Sequence, residues 1–334
     1  MKICLYFEFE KFIATSGIGR ALKHQKAALA SVGIDYTLDP EDEYDILHIN
    51  TVGPTSSSVI AKARRRNKKV IYHAHSTEED FRNSFVLSNQ IAPMFKMVLM
   101  SLYPKADYII TPTPYSKTLL EGYGISLPIS AISNGIDLNR FSYDEEKIKA
   151  FRRYFSLKDN EKVIISVGLY FERKGILDFV EVARRLPQYK FIWFGHTPLY
   201  SIPRKIRDVI TETHPSNVLF PGYVKGAVIE GAYAGADCFF FPSKEETEGI
   251  VVLEALASAQ KVVLRDIPVY DPWLIHGVNC FKGKDIEEFT QLLENTIESD
   301  CRDITINGRF TAETRSIEDI GKQLKEVYEI VLKR

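Results

Sequence analysis

The chain is poor in the features that mark several specialised classes of protein. Its 334 residues carry a formal net charge of only −1, so no overall positive charge is present to hold a polyanion. The cysteines are few and far apart, without a CxxC pair or a metal-ligand spacing: Cys4, Cys238, Cys280 and Cys301. We therefore expect reduced thiols, as in a cytoplasm, with no disulfide, no metal site and no nucleic-acid partner.

Long hydrophobic runs are also missing. The most apolar long stretch, residues 91–103, is interrupted by Lys96 and is too short to cross about 30 Å of hydrocarbon. The first ten residues, MKICLYFEFE, are strand-like and lack the pattern of a signal peptide. With 45% hydrophobic and 26% charged residues, the composition is that of an ordinary globular protein, and we expect a cytoplasmic one without a membrane span.

What the chain does contain is a regular alternation of short, apolar, β-branched runs with longer helix-like stretches. The runs are residues 3–7, 45–49, 69–73, 107–111 and 128–132, and then 162–168, 190–195, 217–222, 237–242 and 261–265. Several are apolar at successive positions, as in parallel strands covered by helices on both faces. The pattern predicts an α/β protein with two doubly wound, Rossmann-like parallel-sheet domains, over residues 1–155 and 156–315, facing a central ligand cleft.

Two helices can be placed with more detail. The charged stretch 143–162 lies between the two series and is predicted to connect them through a helix. Near the C-terminus, Ser316 and Asp319 have capping-box spacing. Apolar residues follow along one helical face: Ile317, Ile320, Leu324, Val327, Ile330 and Val331. This spacing predicts an amphipathic helix over 316–334 that packs back onto the first domain.

The most informative segment is residues 239–260. In its run IVVLEALA, Glu254 is the single polar residue of a helix that must be buried, and an ionised carboxylate there costs several kcal/mol unless it meets donors or a cation. Glu246 lies eight residues earlier, before the helix N-terminus, where backbone N–H groups favour an anion. Two interpretations stay open: a bound phosphate with neighbouring hydroxyls, or a core Arg or Lys that pairs with Glu254 while Glu246 is solvated.

The segment 242–257 resembles the E-x7-E signature of glycosyltransferase family 4, retaining nucleotide-sugar transferases with the GT-B fold. Further segments resemble the family's pattern in the same order along the chain: residues 17–19, 45–50, 74–76, 106–113, 134–141, 167–175, 194–198 and 233–243. Each is weak alone. Together they are specific and cover nearly the whole chain.

The resemblance implies roles for individual residues. Glu246 approaches the donor sugar in catalysis, and Glu254 holds the ribose of the nucleotide. The remaining donor-binding set comprises the start of the helix, the glycines that permit close approach, the cations at the diphosphate and the residues beside the base: Gly249, Ile250, Val251, Gly17, Gly19, Arg173, Lys174, Tyr223 and Val224. With these cations in place, no metal or other cofactor is required. The family has an arginine where this chain has Leu169, and whether Arg173 replaces it stays open.

In the family a histidine beside the donor sugar follows a strand, which implies His75 as a second catalytic residue. His73 shares the predicted face and competes with it, and a structural role is the alternative. Thr113 stands at the family's serine position near the reaction centre. Gly17 and Gly19 with Asp39 also permit a dinucleotide-binding interpretation, but the third glycine of that fingerprint is missing, so a dehydrogenase is disfavoured.

Two further features point to a lipid. The run KARRRNKK at 62–69 has six positive charges in eight residues, and three of the four methionines lie three residues apart within 94–100. A solvated helix end and a core helix are the ordinary explanations. Taken together, they predict a surface for anionic lipid headgroups and a lipid-linked acceptor, with these residues: Arg64, Arg65, Arg66, Met94, Met97 and Thr113.

Among family 4 enzymes the chain resembles bacterial diacylglycerol and monoglycosyl-diacylglycerol glycosyltransferases. This implies transfer of a hexose, glucose or galactose, from UDP-glucose or UDP-galactose to a membrane glycolipid hydroxyl, by a peripheral enzyme on the inner face of the cell membrane. A polyprenyl-linked or soluble saccharide in capsule or cell-wall synthesis is a second candidate acceptor. Two competing functions also fit the motifs, namely a GT-B phosphorylase or epimerase and a noncatalytic nucleotide-sugar binding protein.

Overall fold

The computed structural model describes residues 1–8, 17–271 and 273–334. Over these residues the chain divides into two compact units. Unit 1 comprises Met1–Phe81, Asn89–Ile136 and Arg315–Arg334, and unit 2 comprises Arg82–Ser88 and Asp137–Thr314. The division thus falls after residue 136 rather than after 155, and the C-terminal segment belongs to unit 1.

Each of the ten apolar runs overlaps one strand, and two further segments of the described residues are also strands. In chain order they are β1 (Lys2–Tyr6), β2 (Asp35–Thr37), β3 (Ile46–Ile49), β4 (Lys69–His73), β5 (Tyr108–Thr111), β6 (Ile129–Ala131), β7 (Val163–Val167), β8 (Lys190–Phe194), β9 (Val218–Gly222), β10 (Cys238–Phe241), β11 (Val262–Arg265) and β12 (Phe281–Gly283). The short strands β2 and β12 are the two that the sequence pattern missed.

The helices follow the strands in the alternation expected of doubly wound domains. They are α1 (Gly17–Ser31), α2 (Ser56–Arg65), α3 (Glu78–Phe81), α4 (Ser88–Leu102), α5 (Pro114–Gly122), α6 (Glu145–Tyr154), α7 (Ile176–Arg185), α8 (Arg204–Asp208), α9 (Ala227–Gly235), α10 (Ile250–Ala257), α11 (Ile286–Glu298), α12 (Arg302–Glu313) and α13 (Ile317–Lys333). Short 3₁₀ or π turns occupy Tyr103–Lys105, Glu172–Lys174, Leu199–Ser201, Val209–Thr213 and Pro268–Tyr270.

Unit 1 is built on a parallel sheet with the order β2-β1-β3-β4-β5-β6. One apolar cluster joins a face of this sheet to α1 and α13, and a second joins the opposite face to α2, α4 and α5. Gly321 lets α13 approach α1 closely, because a Cβ at this position would collide with the Ala28 carbonyl oxygen. The C-terminal helix therefore closes one layer of unit 1.

Helix α13 has the predicted cap and nearly the predicted face. The Ser316 hydroxyl accepts a hydrogen bond from the Asp319 N–H at 3.2 Å. The sequence assigned Ile330 to the buried face, and this is wrong, since its side chain is 44% exposed. Tyr328 and Gly321 fill that face instead.

Unit 2 repeats the architecture with the order β12-β11-β10-β7-β8-β9, all parallel. Its core is unusually aromatic, with Phe179 packed edge to face on Phe191 and Trp193 at centroid distances of 5.3 and 5.1 Å. The helix predicted within 143–162 is α6, which packs on α9. The four cysteines are buried and form no disulfide.

Both sheets place chemically active side chains just after the carboxyl ends of their strands, where parallel α/β sheets bind ligands. Within the described ranges, no helix is both long and apolar enough to cross a membrane.

Candidate active site

Glu246 lies in a preformed ion pair at the carboxyl edge of the unit 2 sheet. The loop after β10 carries it, and the turn after β7 carries Lys174, whose Nζ lies 2.5 Å from Glu246 Oε1. The Ser243 hydroxyl donates to the same oxygen at 2.7 Å. Because Glu246 is only 5% exposed, the interpretation of its side chain as a solvated loop carboxylate is excluded.

The charge of Glu246 follows from these neighbours. Burial alone raises the pKa of its carboxyl, but the Lys174 and Arg173 cations and the hydrogen bonds from Lys174 and Ser243 hold that pKa below its ordinary value. Glu246 is therefore ionised at neutral pH. It presents a fixed hydrogen-bond acceptor next to a fixed cation.

Arg173 and Lys174 are adjacent in sequence but differ in their contacts. Arg173 is buried, and its Nε donates to the Ser84 hydroxyl at 2.9 Å while Nη1 donates to the Glu245 carbonyl at 3.1 Å. Its backbone N–H donates to the Asn83 carbonyl at 3.0 Å. Through these contacts Arg173 connects residues 83–84 to the loop that carries Glu246. The Lys174 ammonium, in contrast, contacts the Glu246 carboxylate directly.

Glu254 is buried in α10, as the sequence predicted, and its side chain contacts the phenol ring hydroxyl of Tyr233. Glu254 is 1% exposed, and the Tyr233 hydroxyl on α9 donates to its Oε2 at 2.6 Å. Tyr233 was not recognised from the sequence. Its signal is weak, since an aromatic residue near the end of an apolar helix is usually core.

Helix α10 begins with a left-handed glycine. Gly249 has φ +89°, a conformation that side-chain-bearing residues rarely adopt, and it directs the chain into the N-terminus of α10. Ile250 is buried and Val251 half-buried, so the first turn is held by packing. The buried Tyr270 side chain lies beside it, its hydroxyl 3.4 Å from where a Gly249 Cβ would stand.

The residues predicted beside the base follow β9. Tyr223 is 43% exposed, with the Lys225 ammonium 5.3 Å from the centre of its ring, and Val224 is half-buried. An exposed ring in this place is free to stack, and its role stays a prediction.

In unit 1, His75 lies just after β4 and is held by a network that the sequence did not reveal. Its Nε2 lies 2.9 Å from Asn50 Oδ1, and its ring stacks on His73 at 4.0 Å between centroids with planes 8° apart. Both histidines are therefore positioned in one stack. Burial lowers the pKa of His75 to about 3, which keeps it neutral.

The remaining unit 1 candidates have more ordinary environments. Gly17 is exposed at the start of α1, where an added Cβ would meet no described atom within 4 Å, and Gly19 is buried two residues further in. Thr113 is the N-cap of α5, with its hydroxyl accepting from the Ser116 N–H at 3.2 Å. This contact supports a structural role for Thr113.

Three nearby carboxylates offset half of the charge of the basic run 62–69. Arg64 contacts Asp107 at 2.7 Å and Arg66 contacts Glu43 at 2.7 Å. Lys62 and Lys68 pair with acidic residues of the same region, Glu41 and Glu43 respectively. The run also ends at the start of β4, which is the opposite sheet edge from His75. Arg65 is exposed, and no described carboxylate lies within 4 Å of it.

The two methionines of the predicted lipid-binding surface are exposed to solvent. Met94 is 60% and Met97 71% exposed on α4, next to Pro93 and to Val98, which is 40% exposed. The other face of α4 packs into the core through Leu99 and Leu102. The outward face of α4 is thus apolar at these four positions, between the exposed residues Gln90 and Ser101.

Comparison with known proteins assigns the family. Residues 18–140 match the model described as "Glycosyltransferase Family 4", and residues 147–311 match "Glycosyl transferases group 1". The sequence is 50% identical to the processive diacylglycerol alpha-glucosyltransferase of Acholeplasma laidlawii, over 100% of this chain and 99% of that one. The chain belongs to glycosyltransferase family 4. The resemblance drawn from the motifs is confirmed, and this glycosyltransferase is an enzyme rather than a noncatalytic binding protein.

Solved structures confirm the fold. Sucrose-phosphate synthase from Thermosynechococcus elongatus superposes with a TM-score of 0.80 at 18% identity, covering 100% of this chain and 99% of that one. HepE from Anabaena, solved with UDP and glucose, gives 0.77 at 19% identity, covering 98% of this chain and 99% of that one. The fold of this glycosyltransferase is GT-B.

Gly175 fixes the contact between the two loops of the Lys174–Glu246 pair. It has φ +78°, and an added Cβ would collide with the Pro242 carbonyl oxygen. Gly175→Ala is expected to lower the free energy of unfolding by about 2–5 kcal/mol, from left-handed strain and overpacking together. Gly222→Ala is the matched control, with the same φ of +78° but open space around its Cβ. Equal losses in urea denaturation would contradict the steric explanation.

Removing the Tyr233 hydroxyl tests whether Glu254 depends on it. Tyr233→Phe is expected to cost about 1–3 kcal/mol of unfolding free energy, because a buried Glu254 oxygen loses one hydrogen-bond donor. Tyr270→Phe is the control. The Tyr270 hydroxyl is buried with no hydrogen-bond partner among the described residues, so its loss should be neutral or stabilising. A Tyr233→Phe protein as stable as wild type in thermal denaturation would refute this dependence.

Proposed function

We propose that this glycosyltransferase moves a glucosyl group from UDP-glucose to a hydroxyl of a diacylglycerol lipid, with retained anomeric configuration and without a metal ion. The observation that carries the proposal is the 50% identity over the full chain to an enzyme named processive diacylglycerol alpha-glucosyltransferase. If processivity is shared, the monoglucosyl lipid also serves as an acceptor. We propose action at the inner face of the cell membrane.

The donor side of the proposal rests on unit 2. Lys174 and the N-terminus of α10 supply positive charge for a diphosphate, and Glu246 supplies an acceptor for sugar hydroxyls beside it. Glu254 is buried in the same helix, where its Oε2 accepts a hydrogen bond from Tyr233, and we propose that it also holds the ribose of the nucleotide. Arg173 contributes by clamping the Glu246 loop rather than by reaching the diphosphate, since its guanidinium is engaged by Ser84 and Glu245.

Retention is proposed to occur by front-face transfer. The bond between the anomeric carbon and the UDP phosphate oxygen breaks, and the lipid hydroxyl oxygen forms a new bond to the same face of that carbon. The hydroxyl proton passes to the departing phosphate. Lys174 stabilises the charge that develops on the UDP leaving group, which is the role that a metal ion plays in other transferases.

The acceptor side rests on α4. We propose its apolar face, Pro93, Met94, Met97 and Val98, as the main lipid contact. Arg65 remains available for anionic headgroups, whereas Arg64 and Arg66 are engaged in ion pairs. The proposal therefore places the emphasis on α4, since its apolar side chains are exposed whereas part of the basic run is paired with carboxylates.

Replacing both exposed methionines tests this contact. Met94→Ser with Met97→Ser is expected to weaken binding to phosphatidylcholine–phosphatidylglycerol vesicles about 100-fold or more in a sedimentation assay, since each methionine that inserts into the bilayer contributes about 1.5–3 kcal/mol. Stability should change little. The control pair, Ile306→Ser with Phe310→Ser, removes exposed apolar surface from α12 of unit 2. Unchanged vesicle binding by the methionine variant, or an equal loss in both pairs, would exclude α4 as the principal contact.

The function itself is tested by offering labelled UDP-glucose and UDP-galactose with three acceptors in parallel. These are dioleoylglycerol in vesicles, a polyprenyl-linked saccharide and a soluble oligosaccharide. The proposal predicts label from UDP-glucose in the dioleoylglycerol product. Label only in a saccharide product would replace the lipid acceptor by one used in polysaccharide synthesis, and transfer from UDP-galactose alone would overturn the glucosyl assignment.

A further inference from the structure

Three histidine rings lie parallel at the core of unit 1. His48 and His73 have centroids 5.4 Å apart with planes 6° apart, and His73 and His75 are closer, at 4.0 Å and 8°. All three are buried. Because His75 lies at the end of this stack, its hydrogen bonding can be followed atom by atom through its neighbours.

The hydrogen bond between His75 and Asn50, which follows β3, shows which His75 nitrogen carries the proton. Asn50 Nδ2 donates to the His48 carbonyl at 3.4 Å, so Asn50 Oδ1 faces the other way, 2.9 Å from His75 Nε2. Gln25 Nε2 donates to the same oxygen at 2.7 Å. An amide oxygen can only accept, and His75 Nε2 must therefore carry the ring proton.

The contact between Gln25 and His73 agrees with this direction. Gln25 Nε2 also lies 2.9 Å from His73 Nδ1, which places the His73 proton on Nε2. His48 Nε2 lies 3.2 Å from the same His73 Nδ1, whose single lone pair already accepts from Gln25, and the Tyr328 hydroxyl of α13 lies 2.7 Å from His48 Nδ1. The contacts of Asn50 and Gln25 thus place the ring protons of His75 and His73 on Nε2, and the buried Nε2 of His73 has no hydrogen-bond partner among the described residues.

Burial keeps the stack neutral, so each ring has one proton. It lowers the pKa of His48 and of His75 to about 3, and that of His73 well below its ordinary value. The Nδ1 atom of His75 accepts no hydrogen bond from the described residues. A neutral imidazole with its proton held at Nε2 leaves that lone pair for a ligand.

We propose that Asn50, oriented by Gln25 and the His48 carbonyl, is a positioning residue that holds His75 as the Nε2-protonated tautomer, so that Nδ1 accepts a hydrogen bond from a substrate hydroxyl. The substrate part rests on the proposed function. The hydroxyl belongs either to the sugar of UDP-glucose or to the lipid acceptor, and both offer the same O–H donor. The tautomer part stands on unit 1 alone.

Long-range ¹H–¹⁵N spectra of the full-length, ¹⁵N-histidine-labelled protein at pH 8 test the tautomer without substrate. The His75 signals are assigned by their loss in His75→Gln. The expected wild-type pattern is a protonated Nε2 and an unprotonated Nδ1. Asn50→Leu removes the acceptor and should shift His75 towards the Nδ1-protonated form, whereas Asn50→Asp keeps an acceptor and should keep the wild-type pattern. Tyr328→Phe is the control at the other end of the histidine stack, and it should alter the ¹⁵N signals of His48 but not those of His75.

A proton on Nδ1 of His75 in the wild type overturns the proposal, and this result does not depend on whether any variant folds. An unchanged His75 pattern in folded Asn50→Leu overturns it as well. A merely structural Asn50 would change stability without moving the tautomer.

Kinetics identify the source of the hydroxyl. Asn50→Leu is expected to lower kcat/KM about 10- to 100-fold, because one hydrogen bond to the substrate is no longer oriented, with substantial recovery in Asn50→Asp. A rise in KM for UDP-glucose assigns the hydroxyl to the donor sugar, and a rise in KM for dioleoylglycerol assigns it to the acceptor. Wild-type kcat/KM for both substrates in Asn50→Leu would refute the role of Nδ1. A wild type that transfers nothing defeats the proposed function but leaves the spectroscopic result valid.

Discussion

Glu246→Gln is expected to lower kcat for glucosyl transfer about 100- to 1000-fold while UDP binds nearly as well as to the wild type. The substitution removes a preorganised charge of the kind that typically contributes two to three orders of magnitude. It keeps the size of the side chain and the acceptor for the Ser243 hydroxyl. Because Glu246 is proposed to contact the sugar and not the nucleotide, the loss should appear in turnover. Steady-state kinetics with UDP-glucose and calorimetric titration with UDP measure the two quantities separately.

The matched control for this variant is Glu230→Gln in the same unit. Glu230 on α9 pairs with Arg140 at 2.8 Å and Lys147 at 3.1 Å, so its substitution also breaks ion pairs of a half-buried carboxylate. It should leave kcat unchanged. Near wild-type turnover in Glu246→Gln would remove Glu246 from the mechanism, and an equal loss in Glu230→Gln would attribute the effect to general destabilisation.

Lowering the pH from 7.5 to 5.5 is expected to reduce the free energy of unfolding by up to about 4 kcal/mol. This pH interval lies above the range in which carboxylates titrate. His48, His73 and His75 stay neutral in the folded state because burial lowers the pKa of each, whereas in the unfolded chain they take up protons near pH 6.5. The unfolded state thus binds more protons below pH 6.5, and stability falls as pH falls. Each histidine contributes about 1.4 kcal/mol over this interval.

Urea denaturation at several pH values measures this effect, and the number of protons follows from the slope. His48→Gln should reduce the slope by about one proton even if the variant is less stable overall. A stability that is flat from pH 7.5 to 5.5 would mean that the stack accepts protons in the folded state.

The sequence predicted most of the fold because parallel strands buried on both faces leave a strong local signal. Runs such as 162–168 and 237–242 are largely apolar at successive positions and correspond to β7 and β10. The strands β2 and β12 were missed because each is a three-residue edge strand that is not fully buried. Ile330 was misplaced because it lies at the boundary of the apolar face, where a small rotation of the helix decides burial.

The candidate site was predicted in its residues but not in its contacts. Glu254 was identified as a charge within an apolar helix, and Glu246 from its place before that helix and from the E-x7-E resemblance. The Lys174–Glu246 pair, however, joins residues 72 positions apart, and it is positioned by the packing of Gly175 against Pro242. The ion pairs of the basic run could not be predicted, because their carboxylates, Glu41, Glu43 and Asp107, come from other segments of the chain. The histidine stack escaped notice because its members and their partners come from α1, β3, β4 and α13, and no local pattern connects them.

The most direct test of the whole account is the product of the wild-type enzyme. UDP-glucose labelled with ¹⁴C is incubated with vesicles of dioleoylglycerol and phosphatidylglycerol, the lipids are extracted, and the anomeric configuration of the labelled product is read by ¹H NMR. The account predicts labelled glucosyl-diacylglycerol with the small H1–H2 coupling of an α-glucoside. A β-glucoside, or label that stays in the aqueous phase, would contradict it.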